Sequence, residues 1–370
     1  MINQILDILS KLVSCRSISP NDDGAIQFCK TYLERLGFMC EVLTFSGVNN
    51  LYAKLGNSSK NLCFAGHVDV VPPMDGWSSN PFDLVIKEGK VFGRGTNDMK
   101  GPLASCLSSI QHVIENNLLK SDTSVSVLLT SDEEIMGDHG TKSVVNLLRK
   151  RGEKIAGCVL CESCSPYGSG EYIKIGCRGS LNVDIESKGT QCHIANAPVL
   201  GNHIHNFIKM LDSLCNNRID RGNERFVPSS IQLTSLQTSD NPARNIVPSK
   251  ASALLNVRFN DEWTFDSLEE HIKNCCNGFY VSFFRFGYPF IGSSTSFTQF
   301  LSESIAKTTG KSPEIGTDGG NSDAIFIKEI TDVVEIGSPI INAHIADEFI
   351  ELSDLERLHH IYKNIILNFS

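Results

Sequence analysis

The sequence predicts an α/β protein: a larger domain built on a mainly parallel sheet, with a smaller α+β domain inserted into it. Three observations predict this. Apolar strand-like runs alternate with helical ones over residues 1–161, the pattern of a sheet covered by helices. Several of those runs end directly in His, Asp or Glu. After Gly176 the texture changes to two strand–helix–strand repeats, and helix and strand return over 292–370. The expected division is 1–177 with 292–370 for the larger domain and 178–291 for the insert.

Ile5, Ile8, Leu9 and Leu12 recur at helical spacing and open the chain with a helix. A second helix is expected over 24–36, with Gly37 placed to stop it. Strands follow at 39–44, 50–55 and 62–71, the last a nearly continuous apolar run from Leu62 to Val71 that ends at Pro72-Pro73. Residues 84–92 alternate loosely and lead into Gly93-Arg94-Gly95-Thr96-Asn97-Asp98-Met99-Lys100-Gly101, a glycine-flanked turn with one acid at its apex. Leu103, Leu107, Ile110, Ile114 and Leu118 mark a long helix, and Pro102 lies in its first turn, where a missing N–H is harmless. A strand from Ser124 to Thr130 leads into Ser131-Asp132-Glu133-Glu134, then come a helix over 140–151 and a strand at 157–161. In the insert, strands are expected near 180–187, 230–237, 251–259 and 279–286, and helices near 201–216 and 264–276.

Composition narrows the function classes. With 33 basic and 42 acidic residues the net charge is −9, which argues against nucleic acid or an anionic membrane as partner but leaves room for a small anionic substrate in a local arginine pocket. The 13 cysteines are odd in number and lack framework spacing, so they read as reduced thiols of a cytoplasmic protein. The first residues lack the basic start of a signal peptide, and no run of 18 apolar residues occurs.

The candidate chemistry lies at the strand ends, where open α/β sheets collect their ligands. His67-x-Asp69 is a metal-binding imidazole steadied by a carboxylate, or equally a core histidine beside a surface acid. Asp98 alone reads more readily as a helix cap than as a ligand. In the pair Glu133-Glu134, one acid can ligate while the other moves a proton. Glu162 ends the strand at 157–161, and His344 is one of ten histidines. Together they supply two imidazoles and three carboxylates, with Asp98 shared between two metals, an N/O set suited to zinc, and Glu133 left free as base.

Gly66-His67-Val68-Asp69-Val70-Val71-Pro72, Gly93-Arg94-Gly95-x-x-Asp98-Met99-Lys100-Gly101 and Thr130-Ser131-Asp132-Glu133-Glu134 resemble, in order and spacing, the M20 family of di-zinc amidohydrolases and peptidases. The resemblance implies that His67, Asp98 and Glu162 hold one zinc and that Asp98, Glu134 and His344 hold the other, a site that also admits cobalt or manganese. It implies Asp69 as the residue orienting His67, Glu133 as general base, and a cis peptide after Asp98. It further implies that 178–291 is a ferredoxin-like dimerisation domain of a homodimer, whose His193 reaches the partner's active site to stabilise an oxyanion.

Within the family, Glu162, Arg178-Gly179-Ser180-Leu181, Asn245-Ile246-Val247-Pro248, Arg258 and Gly319-Gly320-x-Ser322-Asp323 resemble the deacylases of anionic N-acyl amino acids. Arg178 and Arg258 are then carboxylate clamps, with Ser180, Arg244, Asn245, Gly320 and Asn321 beside them. The chain departs from that pattern in having Asn321 for a threonine, Ile325 for an arginine, Arg244 for a small polar residue, Ile194-Ala195-Asn196-Ala197 where a tyrosine and a proline are usual, and Glu162-Ser163 for the usual Glu-Pro. These positions touch the substrate pocket and no metal ligand. Two other classes compete. Cys158-x-x-Cys161-x-x-Cys164 has the spacing that opens an iron–sulfur motif, but it lacks the fourth cysteine, and a strand would turn Cys158 and Cys161 to opposite sides. A non-catalytic metal-binding scaffold is disfavoured by the intact free base at 133.

Overall fold

The computed structural model describes residues 1–135, 137–238 and 243–369. The chain forms two compact units, Met1–Gly176 with Gly292–Ser370, and Cys177–Ile291.

The first unit is built on an eight-stranded mixed sheet. Its order is Met39–Phe45, Val48–Leu55, Ser124–Thr130, Asn61–His67, Gly157–Leu160, Val333–Glu335, Tyr172–Lys174, Glu314–Gly316. Its centre is parallel: Asn61–His67 runs alongside Ser124–Thr130 on one side and Gly157–Leu160 on the other, with His67 opposite Thr130 and Ala65 opposite Leu160. Every residue of these three strands is buried, which explains their unbroken apolar runs. The helices Ile2–Ser14, Lys100–Glu115 and Leu352–Asn368 contribute Leu9, Leu12, Leu103, Leu107, Leu358 and Ile365 to the core. None of the helices among the described residues is long and apolar enough to cross a membrane.

Two features differ from the sequence expectation. The strand expected to reach Val71 ends at His67: the Val68 N–H still donates to Thr130, the last residue of the neighbouring strand, but the Val70 N–H turns to the Ser17 carbonyl. The strands Tyr172–Lys174, Glu314–Gly316 and Val333–Glu335 are three residues each, too short to show a period.

The second unit is a four-stranded antiparallel sheet ordered Ser230–Thr238, Lys250–Phe259, Gly179–Lys188, Tyr280–Gly287. The chain runs strand, helix, strand, strand, helix, strand, so with that order the topology is ferredoxin-like. Phe207, Leu211 and Leu214 of one helix and Leu268 and Ile272 of the other pack on Leu181, Val183, Ile185, Leu255 and Val257. The outer face of the sheet alternates with that core, leaving Leu254 and Phe284 exposed.

Candidate metal centre

The three parallel strands at the centre of the sheet end side by side. His67 closes the first, Glu133 and Glu134 follow the second after a short turn, and Glu162 stands two residues beyond the third. Asp98 is brought to this edge by the turn at 93–99. Gly95 holds a φ of 84°, open to glycine at little cost. A Cβ on Gly101 would lie 2.2 Å from the Thr96 carbonyl oxygen, so glycine lets the following helix start tight against the turn. The peptide between Asp98 and Met99 is cis. His344 arrives from the second half of the unit at a φ of 66°, a left-handed conformation costing a non-glycine residue of order 1–3 kcal/mol, as is found where function holds a residue in place.

Asp98 stands between two imidazoles. Its Oδ1 is 3.4 Å from His67 Nε2 and its Oδ2 is 3.3 Å from His344 Nε2. Each imidazole has a carboxylate of its own: Glu162 Oε2 lies 3.6 Å from His67 Nε2, and Glu134 Oε2 lies 3.1 Å from His344 Nε2. Ligand atoms of His67, Asp98 and Glu134 all fall within 4.8 Å of one another.

Two observations show that this set suits cations. His67 Nε2, Asp98 Oδ1 and Glu162 Oε2 are buried and without a hydrogen-bond partner, an arrangement that costs free energy unless something else occupies them. The charges are also unbalanced. Burial, and then the neighbouring Asp98, push the Glu162 carboxyl up to about 8. Burial, together with Glu162, Asp323 and Glu134, raises Glu133 well above the carboxylate range, against the pull of His67. Burial opposes charge on His67, but Glu162, Asp98 and Asp69 outweigh it and raise the imidazole well above its ordinary value. The hydrogen bonds that His344 donates to Asp98 and Glu134 bring its imidazole up to about 10.

Asp69 meets His67 differently from the sequence expectation. His67 Nδ1 lies 2.9 Å from the Asp69 backbone carbonyl, whereas the Asp69 carboxylate oxygen Oδ1 is 3.6 Å away. The other carboxylate oxygen accepts the Glu134 backbone N–H at 3.1 Å. Asp69 therefore ties the His67 loop to the Glu133-Glu134 turn. With Nδ1–H donating to that carbonyl, the neutral imidazole carries its lone pair on Nε2, the nitrogen facing Asp98.

One residue of this centre has no sequence signal. Glu348, 1% exposed, accepts hydrogen bonds from the Asn97 and Asp98 backbone N–H at 2.8 and 3.0 Å through Oε1. Its Oε2 accepts from the Gly95 N–H at 3.0 Å and from Arg94 Nη1 at 2.8 Å. Arg94 in turn lies over the Trp77 ring. Glu348 thus holds the turn that presents Asp98.

In the second unit, His193 lies on a short ribbon in which Cys192–His193 pairs with Ile246–Val247. The Asn245 carbonyl accepts from the Ile194 N–H at 3.0 Å, so Asn245 and His193 sit together, with Arg244 next in the chain. His193 is exposed and its Nδ1 accepts the Ala195 N–H at 3.2 Å, which assigns its proton to Nε2 and leaves a donor on the open side. Arg178 and Arg258 are close enough to depress the Arg258 guanidinium, after burial, by mutual repulsion. Arg178 donates to the Pro228 carbonyl at 2.9 Å, and Ser180 is the register partner of Arg258. Gly320 and Asn321 lie back in the first unit, on the loop before the helix Ala324–Ile327. Cys158 is the register partner of Cys63, while Cys161 meets Cys106 of the long helix, so the two thiols face opposite sides of the strand.

The chain belongs to the family described as peptidase family M20/M25/M40, whose profile matches residues 63–368. It is a metallohydrolase of that family, as the site and fold define it. Among curated proteins, it is 38% identical to a protein of Ehrlichia chaffeensis named succinyl-diaminopimelate desuccinylase, over 98% of this chain and 97% of that one. A protein of Wolbachia pipientis with the same name is 37% identical over 98% of this chain and 93% of its own length. Among solved structures, an M20 family metallo-carboxypeptidase from Sulfolobus solfataricus superposes with a TM-score of 0.81 at 20% identity, over 99% of both chains, and supports the fold.

Proposed function

We propose that the protein hydrolyses the amide of N-succinyl-LL-2,6-diaminopimelate to succinate and LL-2,6-diaminopimelate, a step in the synthesis of lysine and cell-wall precursors. The observation that carries the reading is Asp98, whose two oxygens each face a different imidazole, each backed by its own carboxylate. His67, Asp98 and Glu162 would hold one zinc ion, and Asp98, Glu134 and His344 the other. Bound there, the ions would supply Lewis acidity, enough to polarise an acyl carbonyl and to let a water lose its proton near neutral pH.

The chain's own residues do the rest. Glu133 takes the proton of the attacking water and returns it to the leaving amine. Asp69 fixes the His67 tautomer through its carbonyl. His193 donates its Nε2–H to the developing oxyanion. Arg178 and Arg258 bind substrate carboxylates, and Ser180, Arg244, Asn245, Gly320 and Asn321 are further substrate-binding residues. The unit 177–291 mediates a homodimer in which His193 serves the partner's centre.

The test is a side-by-side assay of the zinc-loaded enzyme on N-succinyl-LL-2,6-diaminopimelate, N-acetylornithine and simple N-acyl amino acids. The succinyl substrate is expected to exceed the others in kcat/KM by at least about 100-fold, because a site built to bind a carboxylate rejects an acyl group that lacks one. A preference for N-acetylornithine would replace this reading by acetylornithine deacetylase or another N-acyl-amino-acid amidohydrolase of the family.

A further inference from the structure

The loop from Thr317 to Asp323 carries Gly320 and Asn321, yet it has no regular structure of its own. It is held at every second residue. The Asp318 N–H donates to the Tyr172 hydroxyl at 3.1 Å, and Lys174 Nζ donates to the Gly320 carbonyl at 2.6 Å. The Ser322 hydroxyl donates to Glu335 Oε1 at 2.6 Å. Tyr172 and Lys174 are two apart on one strand and so reach the loop from the same face. Glu335, opposite Lys174 on the neighbouring strand, completes the arrangement by accepting from Lys174 Nζ at 2.8 Å through Oε2. At the loop's end Asp323 accepts the Thr141 hydroxyl at 2.6 Å.

Lys174 is 3% exposed and Glu335 1%. Burying such a pair is a poor way to gain stability, since apolar side chains of similar size serve as well or better. What apolar residues cannot supply is a donor for Gly320 and an acceptor for Ser322. The charged ends are directed at loop atoms on either side of Asn321, and Gly319, at a φ of 92°, lets the backbone turn over the ammonium.

We infer that the buried Lys174–Glu335 pair is a positioning device that locks the Gly320–Asn321 backbone in one geometry and thereby sets affinity for the anionic substrate. Neither residue touches the reacting atoms. The inference rests on the reading that Gly320 and Asn321 line the substrate pocket.

The test uses the zinc-loaded enzyme and the isosteric double variant Lys174→Met/Glu335→Gln, which removes both charges without stranding either. Amide hydrogen exchange over 318–322 is expected to quicken at least about tenfold, since this loop then opens locally without global unfolding. KM for N-succinyl-LL-2,6-diaminopimelate is expected to rise at least about tenfold with kcat within about threefold, the signature of lost binding rather than lost chemistry. Should the double variant not fold, Ser322→Ala removes one of the clamps alone and is expected to move both readouts in the same direction. Unchanged exchange in a folded variant overturns the clamp. Faster exchange with unchanged KM leaves the clamp standing and overturns the placement of Gly320 and Asn321 in the pocket. Exchange is read independently of turnover, so failure of the wild type to cleave the succinyl substrate would count against the proposed function alone.

Discussion

Glu348→Gln is the perturbation that most directly tests how the metal centre is built. The side chain keeps its size, but one of its two oxygens becomes an amide NH2. Whichever oxygen is replaced, two donors lose their acceptor: either the Asn97 and Asp98 N–H groups, or the Gly95 N–H and Arg94. The negative charge opposite the buried Arg94 is lost in both cases. Removing one partner of a buried ion pair costs about 3–5 kcal/mol, and each stranded buried donor about 1–3 kcal/mol, with overlap between the two. The turn relieves this cost only by moving, and Asp98 moves with it. If about 2.7 kcal/mol of the cost appears in metal binding, affinity falls about 100-fold at 1.4 kcal/mol per decade. Titration with a competing chelator reads that loss, and a thermal melt of the same protein reads the remainder as a lower Tm. A folded Glu348→Gln protein that binds two metals with wild-type affinity would refute the claim that Glu348 sets the position of Asp98.

Glu133→Gln is expected to retain both metals and lose kcat by at least about 100-fold, the usual worth of a general base; comparable turnover at full metal content would remove Glu133 from that role. Metal affinity is expected to climb steeply between pH 6 and 8, because before metal binds Glu162 titrates at about 8, His344 at about 10 and His67 well above its ordinary value, and their protons must leave; calorimetry in buffers of different ionisation enthalpy should register proton release, and none at pH 7 would contradict these assignments. His359 supplies an acid-sensitive site remote from the metals. Burial, then His360, His112 and Lys363, lower it to about 3, so below its unfolded value of about 6.5 only the unfolded chain takes the proton. The stability it supports is complete above about pH 6.5 and falls as pH drops towards 3, by about 2 kcal/mol at pH 5. His359→Phe should flatten that slope in urea melts between pH 7 and 5, and an unchanged slope would place the sensitivity elsewhere.

The elements that position the centre were legible where burial imposes a long pattern. Leu62 to Ala65 and Val125 to Leu129 are unbroken apolar runs because both faces of those strands are covered, and the polar residues that end them fall at one edge. The helices 203–216 and 265–275 and the four strands between and around them likewise carry periods long enough to read. What was not legible is the support beneath the centre. Glu348 acts on backbone N–H groups some 250 residues earlier in the chain, and nothing in an isolated Asp347-Glu348 separates a buried acceptor from a solvated loop acid. Asp69 bears on His67 through its carbonyl, an atom every residue possesses, so the carboxylate in the motif points to a different partner, the Glu134 N–H. Lys174 and Glu335 lie on strands of three residues, below the length at which alternation can be seen. The division has a physical cause. Side chains that must ligate or move protons are constrained in type and recur at strand ends, so they leave a pattern. Side chains that hold the backbone in place need only one charge at one depth, and depth is created by the fold. Asp98 shows both halves: the proposal that it is a shared carboxylate follows from the company of two imidazoles and two more acids, while its position depends on a glutamate that the sequence gives no reason to notice.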